Sequence, residues 1–152
     1  MISTSESIAC KNVVAKEYYC HYKDFGEAIE DFIRIVVEDH KLTLKGNLFY
    51  SLNNMPMDEM MYITMFAAVE EAYCISLKDL EFRSYFYIDN MLMLRFSGEY
   101  EALTEYAYAE LLNFMYENNL EQVTPFFHEL AGDISKQYVQ IKVGIMPNEE
   151  EV

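Results

Sequence analysis

Apolar residues fall three and four apart in two stretches of the chain. In "DFGEAIEDFIRIVVEDHK" the positions Phe25, Ala28, Ile29, Phe32, Ile33, Val36 and Val37 form one buried helical face. Asp24 followed by Glu27 has the spacing of a capping box, which predicts the helix start. The second helix is predicted over about 99–118, with Tyr100, Leu103, Ala107, Leu111, Leu112 and Met115 on its stripe. Glu99, Glu101 and Glu105 complement the positive end of its dipole, and Asn118-Asn119 suits its end.

Between and around the helices lie runs with strand character, at 13–21, 46–52, 61–69, 82–88, 91–96, 124–130 and 138–145. The last, "YVQIKVGI", alternates apolar and polar residues, as a strand with one buried face does. Asp89-Asn90 reads as a tight turn between two of the runs, "NNMPMDEM" as a loop and "MPNEEEV" as a frayed acidic tail. The runs also repeat. With Leu42 set on Leu120, Phe49 falls on Phe127 and Leu52 on Leu130, and "MYITMF" lies against "QYVQIK". Each half then reads strand, helix, strand, strand, in half-repeats of about 13–69 and 82–147 within one domain spanning 1–152, whose ordered core is about 13–147. The expected fold class is α+β, a duplicated strand-helix-strand-strand with pseudo-two-fold symmetry, its curved antiparallel sheet carrying both helices on one side.

Composition narrows the function classes. A chain of 152 residues that is 52% hydrophobic can bury roughly two-thirds of its unfolded surface, which argues against disorder. A net charge of -15 argues against a nucleic-acid partner, since phosphate binding needs clustered Lys and Arg. It aids solubility, and it would also steer a basic partner protein toward the chain. No apolar run reaches the roughly 18 residues of a membrane span, so no membrane association is expected. The N-terminus lacks the basic-then-apolar form of a signal peptide. Cys10, Cys20 and Cys74 are odd in number and scattered, as reduced thiols are, and the expected compartment is the cytoplasm.

Candidate chemistry is sparse. His21, His40 and His128 share no metal-ligand spacing, the glycines are dispersed, and neither a nucleophile motif nor a phosphate-binding loop is present. No catalytic residue, metal or cofactor is therefore assigned. Tyr106, Tyr108 and Tyr116 lie off the main stripe of the second helix, where aromatic faces could meet a cation, although a tyrosine at helical spacing usually marks the edge of a core.

The segment "MLMLRFSGEYEALTEYAYAELLNFMYENNL", with the duplicated element order, resembles the GyrI-like small-molecule-binding domains, which include effector domains of multidrug-responsive regulators. Phe96, Gly98, Tyr100 and Tyr106 stand at the family's "x-G-x-Y" entry and helix aromatic. The resemblance covers about 13–147. It implies a small amphipathic molecule held in a groove between the two halves, lined by Tyr50, Phe96, Tyr100, Phe127 and His128. The family's final strands often read like "FEIYLND", whose glutamate pairs with cationic ligands. Against "FHELAGD", ending at Asp133, His128 takes the glutamate's place and Leu130 the tyrosine's, while Glu129 stands next door. An imidazole titrating at about 6.5 there would leave cations no advantage over neutral analogues. Relatives that hydrolyse natural products use a tryptophan, and this chain has none. A non-enzymatic ligand-binding domain is expected, with an acidic interaction module (an immunity, inhibitor or secretion-accessory protein) as the alternative. Its partner is then a small molecule or a basic protein; the sequence leaves the oligomeric state open.

Overall fold

A computed structural model describes residues 2–72, 77–97, 100–131 and 138–148. Among them are seven strands and two helices, an α+β fold with antiparallel pairing. The order is β1 (Ile2–His21), α1 (Phe25–Ile33), β2 (Phe49–Leu52), β3 (Met60–Ala68), β4 (Glu81–Phe96), α2 (Tyr100–Glu117), β5 (Leu120–Gln122), β6 (Phe126–Ala131) and β7 (Tyr138–Pro147). The chain forms two compact units, one of Ile8–Tyr87 and one of Met1–Ser7 with Ile88–Val152.

In the first unit β1 and β2 both pair with β3, so that Ala15 and Phe49 flank Phe66. Alternation sends Tyr50, Ile63 and Met65 to one face and Phe49 and Phe66 to the other. Helix α1 covers the first of these faces, where Phe25 packs on Tyr50 with ring centroids 4.9 Å apart. On the second, Phe49, Phe66 and Phe86 form an aromatic cluster with centroids 4.8 to 5.5 Å apart. A π-helical stretch, Arg34–Asp39, prolongs α1, and the His40 amide donates to the carbonyl of Ile35. The wider turn buries Ile35 beside Val36 and leaves Val37 exposed. Asp24 makes no side-chain cap; the capping box is replaced by a 3-10 turn over Tyr22–Asp24, in which His21 Nδ1 accepts from the Lys23 amide.

The second unit repeats this register. Met93 and Phe127 flank Lys142, as Ala15 and Phe49 flank Phe66. The repeat reaches individual hydrogen bonds: the Lys45 amide donates to Ala68, and the Val123 amide to Gly144. It reaches backbone conformation too. Asn12 and Asn90 have φ of 57° and 54°, and Lys41 and Asn119, past the helix ends, both have φ of 55°. A bridge between Leu44 and Val69 in the first unit answers to β5 pairing with β7 in the second.

Two local expectations change. Asn90 is not in a turn: β4 runs unbroken from Glu81 to Phe96, and Asn90 supplies one left-handed residue within it while its side-chain amide donates to Ile145. Asn tolerates that conformation, so the strand bends locally without reversing. β1 also begins earlier than expected, at Ile2, through a polar stretch in which Ile8 alone is buried among residues 2–12.

Gly144 on β7 is held by close approach. Its amide donates to Thr124 Oγ1 at 2.8 Å, and an added Cβ would lie 2.6 Å from Thr124 Cγ2. Gly144→Ala is expected to cost about 1–3 kcal/mol by overpacking. Thr124→Ser removes the obstructing methyl and keeps the hydroxyl, so the double variant should recover most of that loss in urea unfolding. A double variant no more stable than Gly144→Ala would contradict this reading.

Candidate functional site

Among the described residues of the second unit, one face of the sheet is covered by α2 and the other, helix-free within that unit, is turned away from it, and the difference decides what each predicted residue can do. On β6, Phe126 and His128 point toward α2, whereas Phe127 and Glu129 point the other way. His128 is 1% exposed. Its Nε2 shares a short hydrogen bond with the Tyr108 hydroxyl, and the two rings meet edge to face at 5.6 Å. Burial drives the imidazole pKa down from 6.5 to about 3, so the ring is neutral throughout the physiological range. This corrects the expectation that His128 gains charge below about 6.5: desolvation of the imidazolium outweighs anything the pocket offers it.

Tyr50 occupies the matching position in the first unit, buried beneath α1 against Phe25. His128 and Tyr50 thus each meet the helix of their own unit. Phe96, half-buried, pairs with Val139 on the helix-covered face of the second unit. Tyr100 begins α2, and its side chain, like Gly98, Glu99, Asp133, Cys74 and the acidic tail from Glu149, lies outside the described residues. Of the four predicted lining residues whose side chains are described, Phe127 is the one on the face turned away from its unit's helix.

That face carries a polar relay absent from the sequence reading. Arg95, Gln140 and Glu129 are direct partners across β4, β7 and β6. The amide orientation of Gln140 that satisfies both neighbours accepts from Arg95 Nε at 3.0 Å and Nη2 at 2.6 Å, and donates to Glu129 Oε2 at 3.1 Å. Lys142 Nζ lies 3.2 Å from that same oxygen and also donates to the Ser7 carbonyl at 2.8 Å. The Lys142 side chain is only 9% exposed, while Arg95 is exposed and Glu129 half-buried. Met93 and Phe127, both buried, flank Lys142 in register. The face therefore sets charged, hydrogen-bonded side chains beside buried apolar ones. Alternation on "YVQIKVGI" places Gln140 and Lys142 on one face, and that signal was available; the pairing with Glu129 and Arg95 needed the register.

The tyrosines off the predicted stripe of α2 divide as well. Tyr106 and Tyr116 face solvent, and Tyr108 belongs to the core beside Thr104, Ala107, Leu111 and Met115. Among the described residues no group of His, Cys, Asp and Glu could hold a metal ion, and no helix is long and apolar enough to cross a membrane.

The fold is shared with the EcmrR C-terminal domain, whose crystal structure matches with a TM-score of 0.81 at 16% identity, covering 97% of this chain and 98% of that one. The cryo-EM structure of the EcmrR-DNA complex in EcmrR-RPo matches with a TM-score of 0.77 at 18% identity, and there 97% of this chain spans 58% of the longer protein. A hydrolase from Listeria innocua shares the fold more distantly, with a TM-score of 0.61 at 9% identity over 96% of this chain and 90% of that one. By sequence the chain belongs to the DUF5085 family, a domain of unknown function whose model matches residues 9–147. No curated protein sequence matches it.

Proposed function

We propose that this is a non-enzymatic, GyrI-like ligand-binding domain that takes a small amphipathic molecule on the helix-free face of its second unit. The observation that carries the reading is the relay from Arg95 through Gln140 and Glu129 to a nearly buried Lys142, beside Met93 and Phe127. Holding an ion pair out of water is costly, and hydrophobic residues of similar volume often serve stability as well. Charged side chains set beside apolar ones suit a ligand with an apolar body and a polar head. The fold shared with the EcmrR C-terminal domain supports the same reading.

The relay also sets the head-group preference. Glu129 is engaged by Lys142 and Gln140, so a cationic ligand must compete with an internal lysine for the carboxylate. Thermal-shift titration with one aryl-alkyl body bearing a neutral, anionic or cationic head tests this. The neutral and anionic members should raise the melting temperature, and the cationic member no more than the neutral one. Arg95→Ser should diminish the shift, and Lys142→Met, which releases Glu129, should raise the response to the cation. A panel without any shift, or shifts indifferent to Arg95 and Lys142, would overturn the proposal.

A further inference from the structure

One end of the first unit, away from the relay residues in sequence, gathers large apolar side chains in water. Tyr19, Tyr22 and Tyr62 are exposed there, and so are Met55 and Met57, at 76% and 57%. Tyr19 and Tyr62 are register partners with ring centroids 5.9 Å apart, and the Tyr62 hydroxyl donates to Glu17 Oε2 at 3.5 Å. The β2–β3 loop that bears the methionines is tied to the start of β3: the Asn53 amide donates to the Tyr62 carbonyl, Asn54 Nδ2 donates to the Met60 carbonyl, and Asn54 Oδ1 accepts from the Tyr62 amide. The Tyr22 amide donates to the Glu59 carbonyl at 2.9 Å, which joins the end of β1 to the same loop.

The charges in these segments are mostly of one sign. Glu17, Asp24, Asp58 and Glu59 are all exposed, against Lys23 as the exposed cation, within a chain of net charge -15. Paired tyrosine faces attract ammonium and guanidinium groups, flexible methionines adapt to varied apolar side chains, and exposed apolar patches rimmed by charge mark interaction surfaces.

We propose that this end of the first unit docks a basic amphipathic segment of a partner protein, its apolar side chains on Met55, Met57 and the tyrosine rings and its Lys or Arg side chains on the surrounding carboxylates. Both halves of the match are in these segments: five exposed apolar side chains, more than a lone cation would engage, and negative charge unsuited to an acidic or purely apolar segment. The docking residues all belong to the first unit and share none with the proposed ligand face, so this proposal does not depend on that one.

The test is fluorescence anisotropy with a labelled amphipathic leucine-lysine peptide, run at about 0.15 M ionic strength so that long-range attraction is screened. Its leucine-glutamate counterpart and benzyltrimethylammonium, as a competing small cation, complete the set. The basic peptide should bind and the acidic one should not. Tyr19→Ser/Tyr62→Ser and Met55→Ser/Met57→Ser should each weaken binding about tenfold, as loss of interface anchors does. Asp58→Asn/Glu59→Gln should weaken it as well, whereas Glu110→Gln/Glu117→Gln on α2, the same change in charge elsewhere, should leave it unchanged. Circular dichroism melts confirm that each variant folds. Absence of binding, equal loss in the α2 control, or displacement by benzyltrimethylammonium at peptide-like concentrations would each overturn the proposal.

Discussion

Lowering the pH from about 7 to about 5 is expected to cost the folded protein about 2 kcal/mol through His128 alone. The folded-state pKa lies at about 3 against an ordinary 6.5, because burial disfavours the charged ring. As pH falls, the unfolded chain takes up the proton first, and protonation favours unfolding. This contribution is whole above about 6.5 and drains by about 1.4 kcal/mol per pH unit down to about pH 3. Its size follows from the site: a wholly buried imidazole whose Nε2 is bonded to the Tyr108 hydroxyl. Gln in place of His128 can keep a hydrogen-bonding atom near that hydroxyl without titrating. Urea unfolding of both proteins at the two pH values should therefore show a steep pH dependence in the wild type and a shallower one in His128→Gln. Equal slopes would place the acid sensitivity elsewhere. The same burial means that His128→Glu would strand a carboxylate beneath α2 without creating a cation site.

The second large effect concerns Lys142. Removing Glu129 leaves a nearly buried ammonium with the Ser7 carbonyl as its remaining acceptor among the contacts described. Glu129→Ala is expected to destabilise by about 3 kcal/mol, in the range for breaking one side of a buried pair. Replacing both partners, as Glu129→Leu/Lys142→Met, removes the desolvation cost along with the attraction and should return stability to near that of the wild type. Chemical denaturation of the two single variants and the double variant gives the coupling directly. Additive losses would show that the pair does not interact across the strands.

How far the sequence disclosed this depended on the range of the signal. Helices, most strands and the internal register followed from periodicity, because a buried face must recur every two or about 3.6 residues. The pairing of Phe49 with Phe66 and of Phe127 with Lys142 matches the alignment of the halves residue for residue. Misreadings arose where a polar residue serves the core. The buried stripe of α2 runs through Thr104 and Tyr108, and Leu112 is 47% exposed, so hydropathy alone shifted the stripe. Asn90 carries a turn residue's conformation inside a strand, and only pairing of the residues beyond it with β7 distinguishes the two. β1 before Val13 lacked a buried alternation to read, with Ile8 its one buried side chain.

The site was less legible than the fold for a related reason. His128 and Glu129 are neighbours in sequence, yet they face opposite ways, and a shift of one residue decides which of them meets a ligand. The partners that fix their chemistry, Tyr108 for one and Lys142 for the other, lie on other elements.

Backbone amide NMR titration with whichever neutral or anionic amphipathic compound stabilises the protein tests the central claim most directly. Saturable shifts should concentrate at Met93–Arg95, Phe127–Glu129 and Gln140–Lys142, and Arg95→Ser should weaken them. Saturable shifts confined to other parts of the chain, or none at concentrations that raise the melting temperature, would contradict a ligand site on the helix-free face.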